Sequence, residues 1–270
     1  MKIYLYTDLE GVAGVDRWDD RQSDRPSIVR RQREMYELLM GEVNAAAEGA
    51  FAGGATSVLL VQGHGDSVVY ELADERLEIV KGAAYPTWLP ELGADFAAAF
   101  YVGSHAMCDT PGATLAHTFS SGERRRWWLC GREIGEFGAF AAVAGARGVP
   151  VALATGDDKL CREARELIPE IETAQVKTAL ALHCARHLSR GRARELVRMA
   201  ALRAAERAAR REIAPWKPAA GPPYTCRVWW RRRQMHLPRV ARPGEKWLSP
   251  YEVEFSGDDL LEVMHRVTSY

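Results

Sequence analysis

Short blocks of apolar residues alternate along the chain with longer stretches whose apolar positions return every three or four residues. Residues 2–7 read as a buried strand, and 57–61 and 97–102 are β-branched or apolar runs of similar length. Residues 26–52 predict a long helix opened by Pro26 and closed by Gly53-Gly54, where glycine accepts a left-handed cap. Further along, 136–146 predicts an alanine-rich buried helix, 150–154 a strand, and 157–167 a helix with Asp157 or Asp158 as its N-cap. Residues 171–176 predict a strand, whereas 178–187 and 190–211 predict helices, the second one amphipathic. Pro215, Pro218, Pro222 and Pro223 mark a linker, after which 224–230 and 251–255 predict strands and 257–267 a last helix. The expectation is an α/β fold with a mostly parallel central sheet flanked by helices, plus a smaller C-terminal α/β portion.

Composition narrows the classes. The 270 residues carry 36 Lys plus Arg against 36 Asp plus Glu, and this zero balance argues against a general nucleic-acid binder. At 47% hydrophobic and 27% charged, the chain has the make-up of an ordinary globular protein. Its charge-free runs, such as 96–108 and 137–146, fall short of the ~18 to 20 residues a membrane-spanning helix needs, so no membrane partner is expected. Met1 leads directly into the first strand pattern, so no secretory leader is expected. Five irregularly spaced cysteines (Cys108, Cys130, Cys161, Cys184, Cys226) fit neither a disulfide framework nor a zinc ribbon, and a cytoplasmic setting is expected.

Candidate chemistry collects where the predicted strands end. The first ends in Asp8-Leu9-Glu10-Gly11, the second in Gly63-His64-Gly65-Asp66, the third in Gly103-Ser104-His105. Carboxyl ends of parallel strands lie side by side and form a crevice, so these three sites are expected to converge. Two carboxylates and two imidazoles suit a divalent metal such as zinc. Each residue also has a plainer role open to it: Asp8 as a turn former, His64 as a loop histidine, His105 as a core histidine. Those roles do not account for three consecutive strands each ending in a ligand type. His117 lies in a strand-like run, 113–119, beyond the turn signal Thr110-Pro111-Gly112, and Glu136 opens the alanine-rich helix, where the macrodipole alone favours a carboxylate.

Other patterns are weaker. His183 and His187 stand at i and i+4 of a predicted helix, but the glutamate of a His-Glu-x-x-His motif is replaced by Cys184, which favours plain helix-terminal histidines. Arg124-Arg125-Arg126-Trp127-Trp128 and Trp229-Trp230-Arg231-Arg232-Arg233 interleave cations with aromatics. With no net positive charge they point to a subunit interface or pore rather than to nucleic acid.

Thr7-Asp8-Leu9-Glu10-Gly11-Val12-Ala13-Gly14, together with Gly103-Ser104-His105-Ala106-Met107, Ala116-His117-Thr118 and Gly135-Glu136-Phe137-Gly138, resembles the DppA family of zinc-dependent D-aminopeptidases, peptidase family M55. Segments 166–169, 174–177, 253–255 and 258–262 extend the resemblance over nearly the whole chain. The resemblance implies a two-zinc centre ligated by Asp8, Glu10, His64, His105 and Glu136, with His117 as the catalytic histidine. It also implies removal of the N-terminal residue from short peptides, D-residues preferred, by a homo-oligomer, a decameric ring enclosing its active sites. On this reading residues 1–190 form the metal-binding catalytic domain and 191–270 a C-terminal subdomain involved in oligomer contacts. The chain departs from the family pattern at Gln62-Gly63-His64-Gly65-Asp66 and in 229–237. Two other classes remain open on the residues alone: a different two-metal hydrolase, acting on a phosphoester or a non-peptide amide, and a catalytically silent binding protein of the same fold.

Overall fold

Strand β1 (Lys2–Thr7) is buried from Ile3 onward, and the large sheet is built outward from it. The computed structural model describes residues 1–85, 87–123, 125–232, 234 and 242–269. On one side β1 pairs in parallel with β2 (Ser57–Val61), which in turn pairs with β3 (Leu77–Val80). On its other side it pairs with β4 (Phe96–Val102), followed by β7 (Val151–Asp157) and β8 (Glu172–Ala181), all parallel. A last strand, β9 (Cys184–His187), folds back antiparallel on β8, so the order is β3-β2-β1-β4-β7-β8-β9.

The continuous apolar runs of β1, β4 and β7 are those of parallel strands covered by helices. Helices α1 (Pro26–Ala52) and α4 (Arg190–Ala209) pack on one another and on the sheet. Their contact is close because its residues are small: a Cβ at Gly49 would lie 2.1 Å from the Arg198 carbonyl oxygen, and Ala201, Ala204 and Ala205 are fully buried. Helix α2 (Glu136–Ala146) is apolar all round, and its Phe140 meets Tyr6 and Tyr101 of the sheet at ring centroids 5.5 and 4.9 Å apart. Helix α3 (Asp158–Leu167) is capped by Asp157, which accepts from the Lys159 and Leu160 amides. A smaller antiparallel sheet has the order β11 (Glu245–Ser249), β12 (Glu252–Gly257), β10 (Tyr224–Trp229), β5 (Arg126–Leu129) and β6 (Arg132–Ile134). Helix α5 (Leu260–Thr268) packs on this sheet and on α2.

Two segments differ from their sequence-based expectation. Residues 178–187 are not helical: β8 runs on to Ala181 and turns into β9, with Lys177 opposite His187. Helix-favouring Thr-Ala-Leu-Ala is overridden there because the strand already paired with β7 continues into a hairpin at the sheet edge. Residues 113–119 are not a strand: Leu115 and Phe119 have φ of 54° and 58°, which breaks the extended path. Instead the segment is pinned by Thr114 N donating to Asp157 Oδ2 at 3.1 Å and Leu115 N to Leu182 O at 2.9 Å. Strands β3, β5, β6 and β11 are short and of mixed polarity, and the hydrophobic pattern did not announce them. Arg124, Arg233 and residues 235–237 of the arginine- and tryptophan-rich runs lie outside the described residues.

Because β2, β1 and β4 are adjacent and parallel, the chain leaves all three at the same sheet edge. The β1 and β4 exits press together: Gly11 N donates to Gly103 O at 2.7 Å, and a Cβ on Gly11 would lie 1.9 Å from Ser104 O. Gly103 itself has φ +76°. Backbone cannot yield as a side chain can, so Gly11→Ala should destabilise the fold by about 2–3 kcal/mol. The measurement is the denaturant midpoint of the variant against wild type at unchanged slope.

Candidate metal centre

Asp8 stands between two clusters of ligand-type atoms. Its Oδ1 lies 3.2 Å from His64 Nδ1, and its Oδ2 lies 3.3 Å from His105 Nε2. On the first side Glu10 Oε2 is 3.1 Å from the same His64 nitrogen. On the second, Glu136 Oε1 is 3.3 Å from His105 Nε2 and 3.7 Å from His117 Nε2. Two triads thus form, Asp8 with Glu10 and His64, and His105 with His117 and Glu136, each with ligand atoms within 4.8 Å of one another. All six residues singled out from the sequence meet here, although they span residues 8 to 136. None of their side chains is more than 14% exposed.

Local structure sets each donor. Asp8 and Glu10 follow β1, where the Asp8 amide is held by Val102 O at 2.8 Å and the Leu9 amide by Asp8 Oδ1 at 2.9 Å. The His64 loop is tied back by Gly63 N donating to Thr7 Oγ1 at 3.2 Å. His105 Nδ1 lies 3.0 Å from the Ala106 carbonyl, a contact only an N–H can make, and this leaves Nε2 free to face Asp8 and Glu136. His117 Nδ1 is placed in the same way, 3.0 Å from Leu115 O. The His117 ring stacks on that of His105 at 3.9 Å and meets Trp18 edge-on at 5.2 Å.

Electrostatics in this buried site are those of a cluster built around a cation. Burial and the neighbouring Glu10 charge push Asp8 up to about 7. Burial would also raise Glu10, but the His64 charge outweighs it and holds Glu10 well below the usual carboxylate range. For His105, burial opposes the charged form, yet Glu136 and Asp8 together raise it to about 10. His117 moves the other way, lowered by burial and then by the His105 charge. Buried Asp8 Oδ2, Glu10 Oε2 and His105 Nε2 form no hydrogen bond among the described residues. Buried polar atoms left so are costly, and a mixed carboxylate and imidazole donor set is what zinc takes, so the residues present fit a divalent metal.

One carboxylate at the site carries no signal in the sequence. Asp19, in the polar segment between β1 and α1, places Oδ1 3.1 Å from His64 Nε2, while its Oδ2 accepts from the Tyr36 hydroxyl at 2.9 Å. Its side chain is only 5% exposed, but Asp19-Asp20 among charged neighbours has the look of a solvated loop. The carboxylate thus stands at His64 Nε2, while Asp8 and Glu10 stand at Nδ1. The weaker motifs resolve otherwise. His187 Nδ1 accepts from the Gly14 amide at 2.9 Å, and His183 lies edge-on to Trp18 at 5.9 Å. Arg126 pairs with Glu133 at 2.6 Å and Arg227 with Glu252 at 3.2 Å, and both guanidinium groups also lie over Trp128.

Fold and donor set together are those of an α/β protein fitted to hold a divalent metal at its strand ends. The family model for the D-aminopeptidases, peptidase family M55, matches residues 1–269, and the chain belongs to that family. A D-aminopeptidase of Bacillus subtilis (strain 168) is 33% identical over 201 residues, covering 73% of this chain and 71% of that protein. Among solved structures, the zinc-dependent D-aminopeptidase DppA from Bacillus subtilis, described as a self-compartmentalizing protease, superposes with a TM-score of 0.86 at 25% identity. That alignment covers 100% of this chain and 96% of the other.

If Asp19 orients His64, Asp19→Asn should weaken zinc binding about 10- to 100-fold. Competition against a chelator of known affinity measures it, and an unchanged affinity would remove Asp19 from this role.

Proposed function

We propose that this chain is a zinc-dependent D-aminopeptidase that releases the N-terminal residue of short peptides, D-residues preferred. Two zinc ions per chain are assigned to Asp8, Glu10, His64, His105 and Glu136, and the catalytic role to His117. The observation that carries the reading is Asp8, one oxygen of which faces each half of the cluster. Two zinc ions held by these residues would polarise a scissile carbonyl and lower the pKa of bound water towards ~7.

The residues themselves account for proton movement. With Nδ1–H donated to Leu115 O, the His117 Nε2 lone pair faces the cluster. Its lowered pKa keeps the ring neutral at pH 7, so Nε2 takes a proton from the attacking water and returns it to the leaving amine. The clusters open into a cavity of about 490 Å³ walled in part by Trp18, Trp88 and Phe119, a volume suited to a peptide of a few residues. The similar DppA structure is described as self-compartmentalizing, which supports assembly of this chain into a homo-oligomer; a decameric ring admitting only short or unfolded peptides is part of the same proposal. Five free cysteines support a reducing, cytoplasmic setting.

The purified protein should contain about two zinc ions per chain by plasma mass spectrometry and should hydrolyse D-alanyl-D-alanine faster than L-alanyl-L-alanine or a phosphoester. Zinc absent even after dialysis against the metal would overturn the ligand assignment. His117→Ala should keep its zinc and lose turnover by about 10²- to 10⁴-fold; an unchanged kcat would remove His117 from the reaction. Zinc affinity should climb with pH, because the metal must displace the proton His105 holds up to about 10 and, below about 7, that of Asp8. Each displaced proton contributes about tenfold per pH unit, which calorimetric titration between pH 6 and 8 reads directly.

A further inference from the structure

We infer that Arg21 receives the C-terminal carboxylate of the substrate, so that this chain selects short peptides with a free carboxyl end; the inference rests on the aminopeptidase reading above. Arg21 lines the same cavity as the two clusters, and no other lysine or arginine does so among the described residues. Its Nε lies 3.4 Å from Asp19 Oδ2, and Asp19 in turn contacts His64, which places the guanidinium one carboxylate away from the metal cluster. Its closest contact with Asp19 is through Nε and the side chain is 54% exposed, so the guanidinium stays accessible from the cavity it lines. A guanidinium fork matches a carboxylate with two parallel hydrogen bonds. In a dipeptide whose scissile carbonyl sits at the cluster, the carboxylate follows one Cα step of about 3.8 Å further on.

The loop after β2 makes room for this side chain. Gly65, next to His64, has φ +44°, and a Cβ there would lie 2.3 Å from Arg21 Nη1 and 3.1 Å from its Cδ and Cζ. The guanidinium therefore rests directly on the Gly65 backbone, in space any larger residue would occupy. The two halves of the device come from separate loops: an arginine in the segment between β1 and α1, and a glycine after β2.

The test compares D-alanyl-D-alanine with its C-terminal amide, which differs only in the carboxylate. Wild type should favour the acid by about 10- to 100-fold in kcat/KM, mostly through KM, as expected for charge-assisted hydrogen bonds. Arg21→Met, which keeps the aliphatic stem, should bring that ratio close to one while zinc content and the melting transition stay at wild-type values. Gly65→Ala, which displaces the guanidinium without removing it, should lower the ratio in the same direction. A ratio unaltered by Arg21→Met, or a wild type indifferent to the carboxylate, overturns the assignment. Calorimetric binding of the two dipeptides separates the two readings. Carboxylate-dependent binding without hydrolysis counts against the proposed activity alone. Hydrolysis with the ratio intact in Arg21→Met counts against Arg21 alone.

Discussion

Asp8 and Glu10 are buried and Glu136 is only 14% exposed, all three around one group of histidines, and much of the surrounding structure holds them there against their repulsion. Buried like charges persist only where cations and donors are built around them. Here the partners are His64 and His105, the Phe119 amide donating to Glu136 Oε1 at 2.6 Å, and the Leu9 amide on Asp8. Lys177, wholly buried in β8, donates to the carbonyls of Glu10, Val12 and Val15 and so fastens the loop that carries Glu10. Burial lowers the Lys177 ammonium to about 8, with Asp157 and Glu42 pulling the other way. Buried Glu42 completes the brace by accepting from the Ala13 amide at 2.9 Å.

A second brace joins the far side of the site. Glu163 of α3 accepts from the Met107 amide at 2.9 Å and packs against Gly135, where a Cβ would lie 2.9 Å from its Oε1. It thereby links the segment after His105 to the residue before Glu136. Burial raises this carboxyl to about 7, and like Glu42 it works as a rigid tie inside the core. The metal-ligand types therefore sit on loops, but the loops are stapled to strands and helices by buried polar groups, which keeps donor positions within the tolerance a metal demands.

The substrate side is built differently. Trp18, Asp19 and Arg21 come from one short segment between β1 and α1 and face His117, His64 and Gly65 respectively. Opposite them, Trp88 donates to the Tyr6 hydroxyl at 2.9 Å and packs against Phe119, which stacks on Trp127 of the small sheet at 4.3 Å. The cavity wall is thus continuous with the antiparallel sheet, so the arginine- and tryptophan-rich strands support the site from behind while their cations are matched by Glu133 and Glu252.

Much of the architecture, and the six residues that the fold gathers into one cluster, were legible in the chain because they obey local rules. A buried parallel strand must be apolar throughout, and a helix such as α1 must show its period and its glycine stop. Ligand types at successive strand ends converge wherever those strands run parallel and adjacent, so their positions in the chain already point to one shared site. Family membership was readable for the same reason, since Asp8-x-Glu10, His105, His117 and Glu136 fall in short contiguous motifs. Tertiary structure alone decided the rest. Residues 178–187 became strands because pairing with β7 and the hairpin outweighs a small helical preference. The 113–119 segment turned because its amides found Asp157 and Leu182 across the fold. Asp19 and Arg21 look like solvated loop residues until His64 and Gly65, more than 40 positions away, come to lie against them. Hydrophobic period and end signals are properties of neighbours along the chain, whereas the roles of polar loop residues are set by partners that only the folded topology supplies.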